Sequence, residues 1–113
     1  MGMDADVIAI GPFSQDIIDM LDYPAEYYDK TKPGATMITT VFSATSTDLS
    51  YQLARAMGVD AWDFNTHKID PKNVDMEDLE EFVDCAVEHG MEDITTFIKL
   101  VGKGFTFFYR PNG

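Results

Sequence analysis

The sequence predicts a small α/β or α+β domain, with a sheet of three to four strands packed with about four helices. Three observations carry that prediction. Short runs of β-branched and aromatic residues alternate with segments of helical apolar spacing, the order expected when helices pack on a sheet. At 113 residues the chain has the length of one domain and can bury roughly two thirds of its unfolded surface. Its 45% hydrophobic and 12% aromatic content is globular, so the core needs no disulfide or metal to hold it. We expect one domain over residues 1–113, since no repeat, low-complexity tract or long linker divides it.

The first element is "ADVIAIGPF", an apolar run of branched residues that stops at Gly11-Pro12, as a buried strand entering a turn does. Ser14 then caps a helix in "SQDIIDMLDY", with Asp16 at its positive end and Ile17, Ile18 and Leu21 as its apolar stripe. Pro24 limits that helix, and a connection containing Tyr27 and Tyr28 runs to the Pro33-Gly34 turn signal. "ATMITTVFSA" is rich in Thr, Val, Ile and Phe and reads as a strand.

Thr45 to Thr47 offers a cap for the next helix, where Leu49, Leu53, Ala56 and Met57 keep helical spacing until Gly58 stops it. In "GVDAWDFNTHKID", Asp60 caps a short turn and "FNTHKI" runs extended until Asp70-Pro71. "DMEDLEEFVDCAVEHG" places Met76, Leu79, Val83, Ala86 and Val87 on one helix face and Gly90 at its end. A further helix repeats the pattern through Ile94, Phe97, Ile98 and Val101, and "FTFFYRPNG" reads as the last strand. The early strand-helix-strand order leaves a parallel or mixed sheet open.

Composition narrows the chemistry. Twenty Asp and Glu against eight Lys and Arg give a net charge of −12, which disfavours nucleic acid and anionic membrane as partners and favours a basic protein or a cation. Cys85 is the only cysteine, which excludes an intramolecular disulfide and a CxxC pair and suits the cytoplasm. Residues 1–20 hold four aspartates and no Lys or Arg, unlike a signal peptide, and no apolar run approaches a membrane span.

Complete catalytic or cofactor signatures are absent. Gly11 stands where a strand meets a helix, a place that can bind anions, but the segment has neither three spaced glycines nor a GK[ST], and Pro12 removes a donor. An ordinary turn is the plainer reading. Cys85, His67 and Asp63 supply the residue types of nucleophilic catalysis without a recognisable spacing. Glu81, Cys85 and His89 recur every four residues on the flank of a helix, but a closed metal site usually wants four protein ligands, so we assign no metal and no cofactor.

In residues 62–67, Trp62 and Phe64 share one face of an extended chain, and Asp63, Asn65 and His67 share the other. A tryptophan there is most simply a plug over the core. The polar side is a candidate ligand strip carrying His67, histidine being the residue type that changes charge near neutral pH, and Trp62 beside it is the other candidate ligand-binding residue.

The strongest non-random feature is the charge layout. Residues 75–93 hold nine acids and no Lys or Arg, whereas residues 94–113 hold Lys99, Lys103 and Arg110 and no acid. Glu77, Glu81, Asp84 and Glu88 follow 4, 3, 4 spacing and point opposite the apolar face. Like charges so spaced repel by roughly 0.2–0.5 kcal/mol per pair. The stripe is a solvated face at the least, and at the most a docking face for a basic protein.

At the level of class, a small acidic domain without catalytic motifs resembles proteins that bind and block a basic partner, such as the immunity proteins of bacterial toxin pairs. The expected function is therefore a non-enzymatic cytoplasmic binding protein using Glu77, Glu81, Asp84 and Glu88, with Tyr27, Tyr28 or Trp62 as aromatic anchors. Two rivals stand beside it. One is a small-molecule-binding domain or small enzyme with a site near Gly11, Ser14, Trp62 and His67. The other is a self-associating domain that pairs through "FTFFY" if that strand lies at a sheet edge.

Overall fold

The computed structural model describes residues 4–12, 15–20, 36–60, 63, 65–86 and 94–112. Four strands form the sheet: β1 (Asp4–Pro12), β2 (Thr36–Ala44), β3 (His67–Ile69) and β4 (Thr106–Asn112). Their order is β2-β1-β4-β3, and every neighbouring pair is antiparallel. Helices α2 (Thr47–Met57), α3 (Met76–Ala86) and α4 (Ile94–Val101) each make two turns or more. The remaining helix, α1 (Gln15–Met20), is six residues long, so about four helices become three of full size.

The fold is thus α+β, and the parallel or mixed sheet left open by the sequence is excluded. Pro12 pairs with Thr36, so the chain leaves β1 and enters β2 at the same end of the sheet. A strand-helix-strand crossover would instead have made the two strands parallel. β3 covers three residues of the extended run expected over Phe64–Ile69, and a 3-10 turn over Pro71–Asn73 follows, capped by the Asp70 carboxylate accepting from Lys72 N at 3.0 Å.

One face of the sheet builds the core. Ala5, Val7 and Ala9 of β1 share it with Phe107 and Tyr109 of β4 and Ile69 of β3, all buried. In β2 the buried positions change phase, from Met37, Thr39 and Val41 to Phe42 and Ala44. The cause is a bulge: Val7 faces Phe42 and Ile8 faces Thr40, which leaves Val41 as the additional residue. Without it, either Phe42 or Met37 would turn away from the core.

Helix α2 forms where its caps specify. The Ser46 hydroxyl accepts from Leu49 N at 3.2 Å, and Gly58 closes the helix at φ 72°, a left-handed conformation that glycine adopts without strain. Leu53, Ala54, Ala56 and Met57 are buried beneath it. Phe82 of α3, Phe42 of β2, Phe97 of α4 and Phe107 of β4 then form a continuous aromatic chain, with ring centroids 6.0, 5.7 and 4.8 Å apart in turn. Each such contact adds roughly 0.5–1.5 kcal/mol beyond burial, so this chain ties α3 and α4 to the sheet.

Two helix faces differ from the expected ones. On α3 the buried residues are Leu79, Phe82 and Ala86, with Val83 half-buried and Met76 exposed. On α4, Phe97 and Leu100 are buried, whereas Ile98 and Val101 are exposed. Val87 and Gly90 lie outside the described residues. Gly11 sits within β1, paired with Met37, rather than in a turn, and a side chain is excluded there because a Cβ would stand 2.5 Å from the Phe105 ring.

Candidate functional site

The acidic face rests on how α3 starts and what it packs against. Asp75 caps the helix, its Oδ1 accepting from Glu77 N at 3.0 Å and Asp78 N at 3.1 Å. Its own N–H donates to the Ala56 carbonyl at 2.9 Å, which fixes the start of α3 against the end of α2. With Leu79, Phe82 and Ala86 turned inward, Glu77, Glu81 and Asp84 all emerge on the outer side and are exposed. The structure therefore brings three of the four stripe residues to one face. Glu88 lies outside the described residues.

The sequence did not point to the cation at the edge of this face. Arg55, on α2, donates through Nε and Nη2 to the two carboxylate oxygens of Asp78, each at 3.3 Å. Asp78 holds the guanidinium proton more firmly still, with smaller contributions from Glu81 and Asp75. Gln52, Arg55, Asp78 and Glu81 line a cleft of about 180 Å³ between the two helices. Helical spacing within one element cannot reveal such a pair, because its partners are 23 residues apart and meet only after α2 and α3 pack.

The polar residues of the second candidate also come together, by a route other than strand alternation. Asp63 Oδ1 accepts from the Asn65 backbone N–H at 3.0 Å and from its side-chain amide at 2.7 Å, an Asx turn. The backbone bond to Asn65 is the main reason the Asp63 carboxyl titrates below its ordinary range, against some desolvation and with smaller help from the Asn65 amide and His67. His67 Nε2 lies 3.3 Å from Asp63 Oδ2, at ion-pair distance but without hydrogen-bond geometry, and that nitrogen is buried. His67 pairs with Tyr109 and so shares the core-facing side of the sheet. Trp62 lies outside the described residues, as do Ser14, Tyr27, Tyr28 and His89.

Gly11 is not part of that cluster. Its α carbon is covered by Phe105, and it lies two strands across and four residues along from His67, a separation of roughly 16 Å from strand geometry. β4 lies inside the sheet, paired with β1 and, over Phe107–Tyr109, with β3. The edge position on which pairing through "FTFFY" depended is therefore taken. Cys85 is free and exposed on α3. Among the described residues, no group of three or more His, Cys, Asp and Glu side chains is placed to hold a metal ion, and no helix is long and apolar enough to cross a membrane.

Compared with protein-family models, curated proteins and solved structures, the chain finds no match in any of the three.

Proposed function

We propose that this chain is an acidic, non-enzymatic binding protein that docks a basic protein partner on the outer face of α3. The observation that carries the reading is the joint exposure of Glu77, Glu81 and Asp84 opposite a fully buried Leu79, Phe82 and Ala86. Glu77 and Asp84 make no ion pair among the described residues, so their charge is available to a partner. Glu88 extends the stripe if the helical spacing continues.

The mechanism is occlusion. The face steers a cationic surface into contact, and the packed α2–α3 pair presents it without reordering, so little entropy is lost on docking. Arg55 marks how a guanidinium fits there, already paired with Asp78 beside Glu81. The protein acts in the cytoplasm, in keeping with its single cysteine, and is immunity-like in the sense that it masks a basic partner.

The test is the salt dependence of capture. The immobilised chain should retain a basic protein from the source cell's lysate at low salt, and the association rate of the purified pair should fall steeply as ionic strength rises. A partner whose on-rate is indifferent to salt would show that the face does not steer.

A further inference from the structure

His67 Nε2 is a buried polar atom that makes no hydrogen bond, yet it stands 3.3 Å from Asp63 Oδ2. That combination separates the charge states of the ring. A hydrogen bond weakens steeply when donor and acceptor are misaligned, so the neutral ring gains little here, and the tautomer protonated on Nδ1 sets a lone pair against the carboxylate. Coulomb attraction has no such angular requirement, so the imidazolium gains from the contact as it stands. The carboxylate is prepared for that partner. Both bonds from Asn65, backbone N–H at 3.0 Å and side-chain amide at 2.7 Å, end on Asp63 Oδ1, which leaves Oδ2 to His67. The backbone bond is the first cause of the lowered Asp63 titration, so this carboxyl stays ionised further into acid than is usual. No other charged group acts on it: besides His67, its titration is set only by Asn65 and by desolvation. The groups facing His67 from β4 and α2 are the phenols of Tyr109, which keeps its proton up to about 12, and of Tyr51 beside it. Asp60 holds the turn before Asp63 through its carbonyl, Lys68 points to the other side of the sheet, and Asp70 is engaged with Lys72 N.

We propose that Asp63 and His67 form a proton-operated clasp, which fastens the connection between α2 and β3 when His67 is protonated and releases it as pH rises through neutrality. The fastened residue is the first of an edge strand only three residues long, the strand that covers Phe107–Tyr109 of β4. The clasp needs both charges. It is therefore closed in mild acid, above about pH 4 where an aspartate is ionised, and it opens through the neutral range in which histidine as a residue type loses its charge. A group that gains a partner on protonation stabilises the fold in acid and gives that up as pH rises, the opposite direction to the Asn65 contribution, which is lost as pH falls. Both side chains are half-buried, so the effect is that of a partly screened pair. The device stands independently of the basic partner, which docks on α3.

The experiment is solvent exchange of the Asn65 backbone amide, followed by NMR between about pH 5 and about pH 8 and corrected for the intrinsic pH dependence of exchange. That amide is bonded to the carboxylate that the clasp positions. In the native chain its protection should be roughly two- to fivefold greater at the acid end. Asp63→Asn keeps an oxygen for the Asn65 N–H and removes the charge, and His67→Gln removes the titrating ring. Protection in each should be the same at both ends of the range. A merely structural role for Asp63 would lower protection by the same factor at every pH, and would leave the native dependence in His67→Gln. Flat protection in the native chain, or a dependence that survives in either variant, overturns the proposal. Should a variant fail to fold, the native chain alone decides: the Asn65 amide resonance and the His67 ring protons should shift together with one midpoint, and an Asn65 amide that does not follow the ring overturns the clasp.

Discussion

The Tyr109 hydroxyl donates to the backbone carbonyl of Ser50 at 3.3 Å, linking interior strand β4 to helix α2 across 59 residues of chain. Both residues are fully buried. Burial, with a smaller contribution from Tyr51, pushes the phenol up to about 12. An unfolded tyrosine titrates near 10, so the folded state holds its proton more tightly. That stability is complete below pH 10 and is lost as pH rises from about 10 to about 12. Tyr109→Phe should cost about 1 kcal/mol at pH 7 and should remove the part of the alkaline decline due to this phenol, of order 2 kcal/mol. Urea unfolding of both proteins at several pH values between 8 and 12 checks it.

Gly11→Ala tests the close approach of Phe105 to β1. The new methyl group would meet the Phe105 ring at 2.5 Å, and that ring is itself buried, so something must shift. A loss of roughly 1–3 kcal/mol is expected, as for overpacking elsewhere. Combining it with Phe105→Leu should cost less than the sum of the two single changes, a coupling that denaturant melts of all four proteins would measure.

Asp75→Ala should cost about 1 kcal/mol, because two backbone N–H groups at the start of α3 lose their acceptor. The predicted sign matters more than the size. Removing an acid from a strongly acidic chain relieves repulsion, so a purely electrostatic role would make the variant more stable. Thermal melts at low and high salt distinguish the two.

Asp63→Asn should change stability in acid. A carboxyl that titrates below its ordinary range in the folded state contributes stability above that ordinary range, and loses it as pH falls through the lowered value. The native chain should therefore lose stability relative to Asp63→Asn as pH is lowered below about 4, and hold its advantage above it. Unfolding curves from pH 2.5 to 6 would show the crossover, and parallel curves would contradict it.

The parts of this fold that were legible in the sequence are those set by local chemistry. Ser46 and Gly58 bracket α2 because capping depends on residues within one turn. The acids of α3 could be placed outward because Leu79 and Ala86 fix the opposite face at helical spacing. Phe82 and Met76 were exchanged in that reading, since both fall near the edge of the apolar arc and only the meeting with Phe42 decides which is buried. In α4 the apolar residues span an arc of roughly 160° from Leu100 through Val101 to Ile98, wider than the buried stripe, so its pattern could not choose Leu100 over Ile98 and Val101. Strand order was illegible for a different reason. The pairing of Pro12 with Thr36 and the bulge at Val41 depend on partners far along the chain, which no periodicity within a strand encodes.

The same division applies to the candidate sites. Glu77, Glu81 and Asp84 share a face because helix geometry is local, whereas the Arg55–Asp78 pair exists only through packing. Asp63, Asn65 and His67 were grouped by an alternation that β3 does not extend far enough to supply, and a side-chain turn joins them instead.

The most direct test of the docking face is to reverse its charge. The native chain and a variant carrying Glu77→Lys, Glu81→Lys, Asp84→Lys and Glu88→Lys would each be used to capture proteins from the source cell's lysate at low salt, after circular dichroism has shown that the variant folds. A basic protein retained by the native chain and absent from the variant is the predicted result. The same bound proteins on both would contradict it and leave the stripe as a solvated helix face.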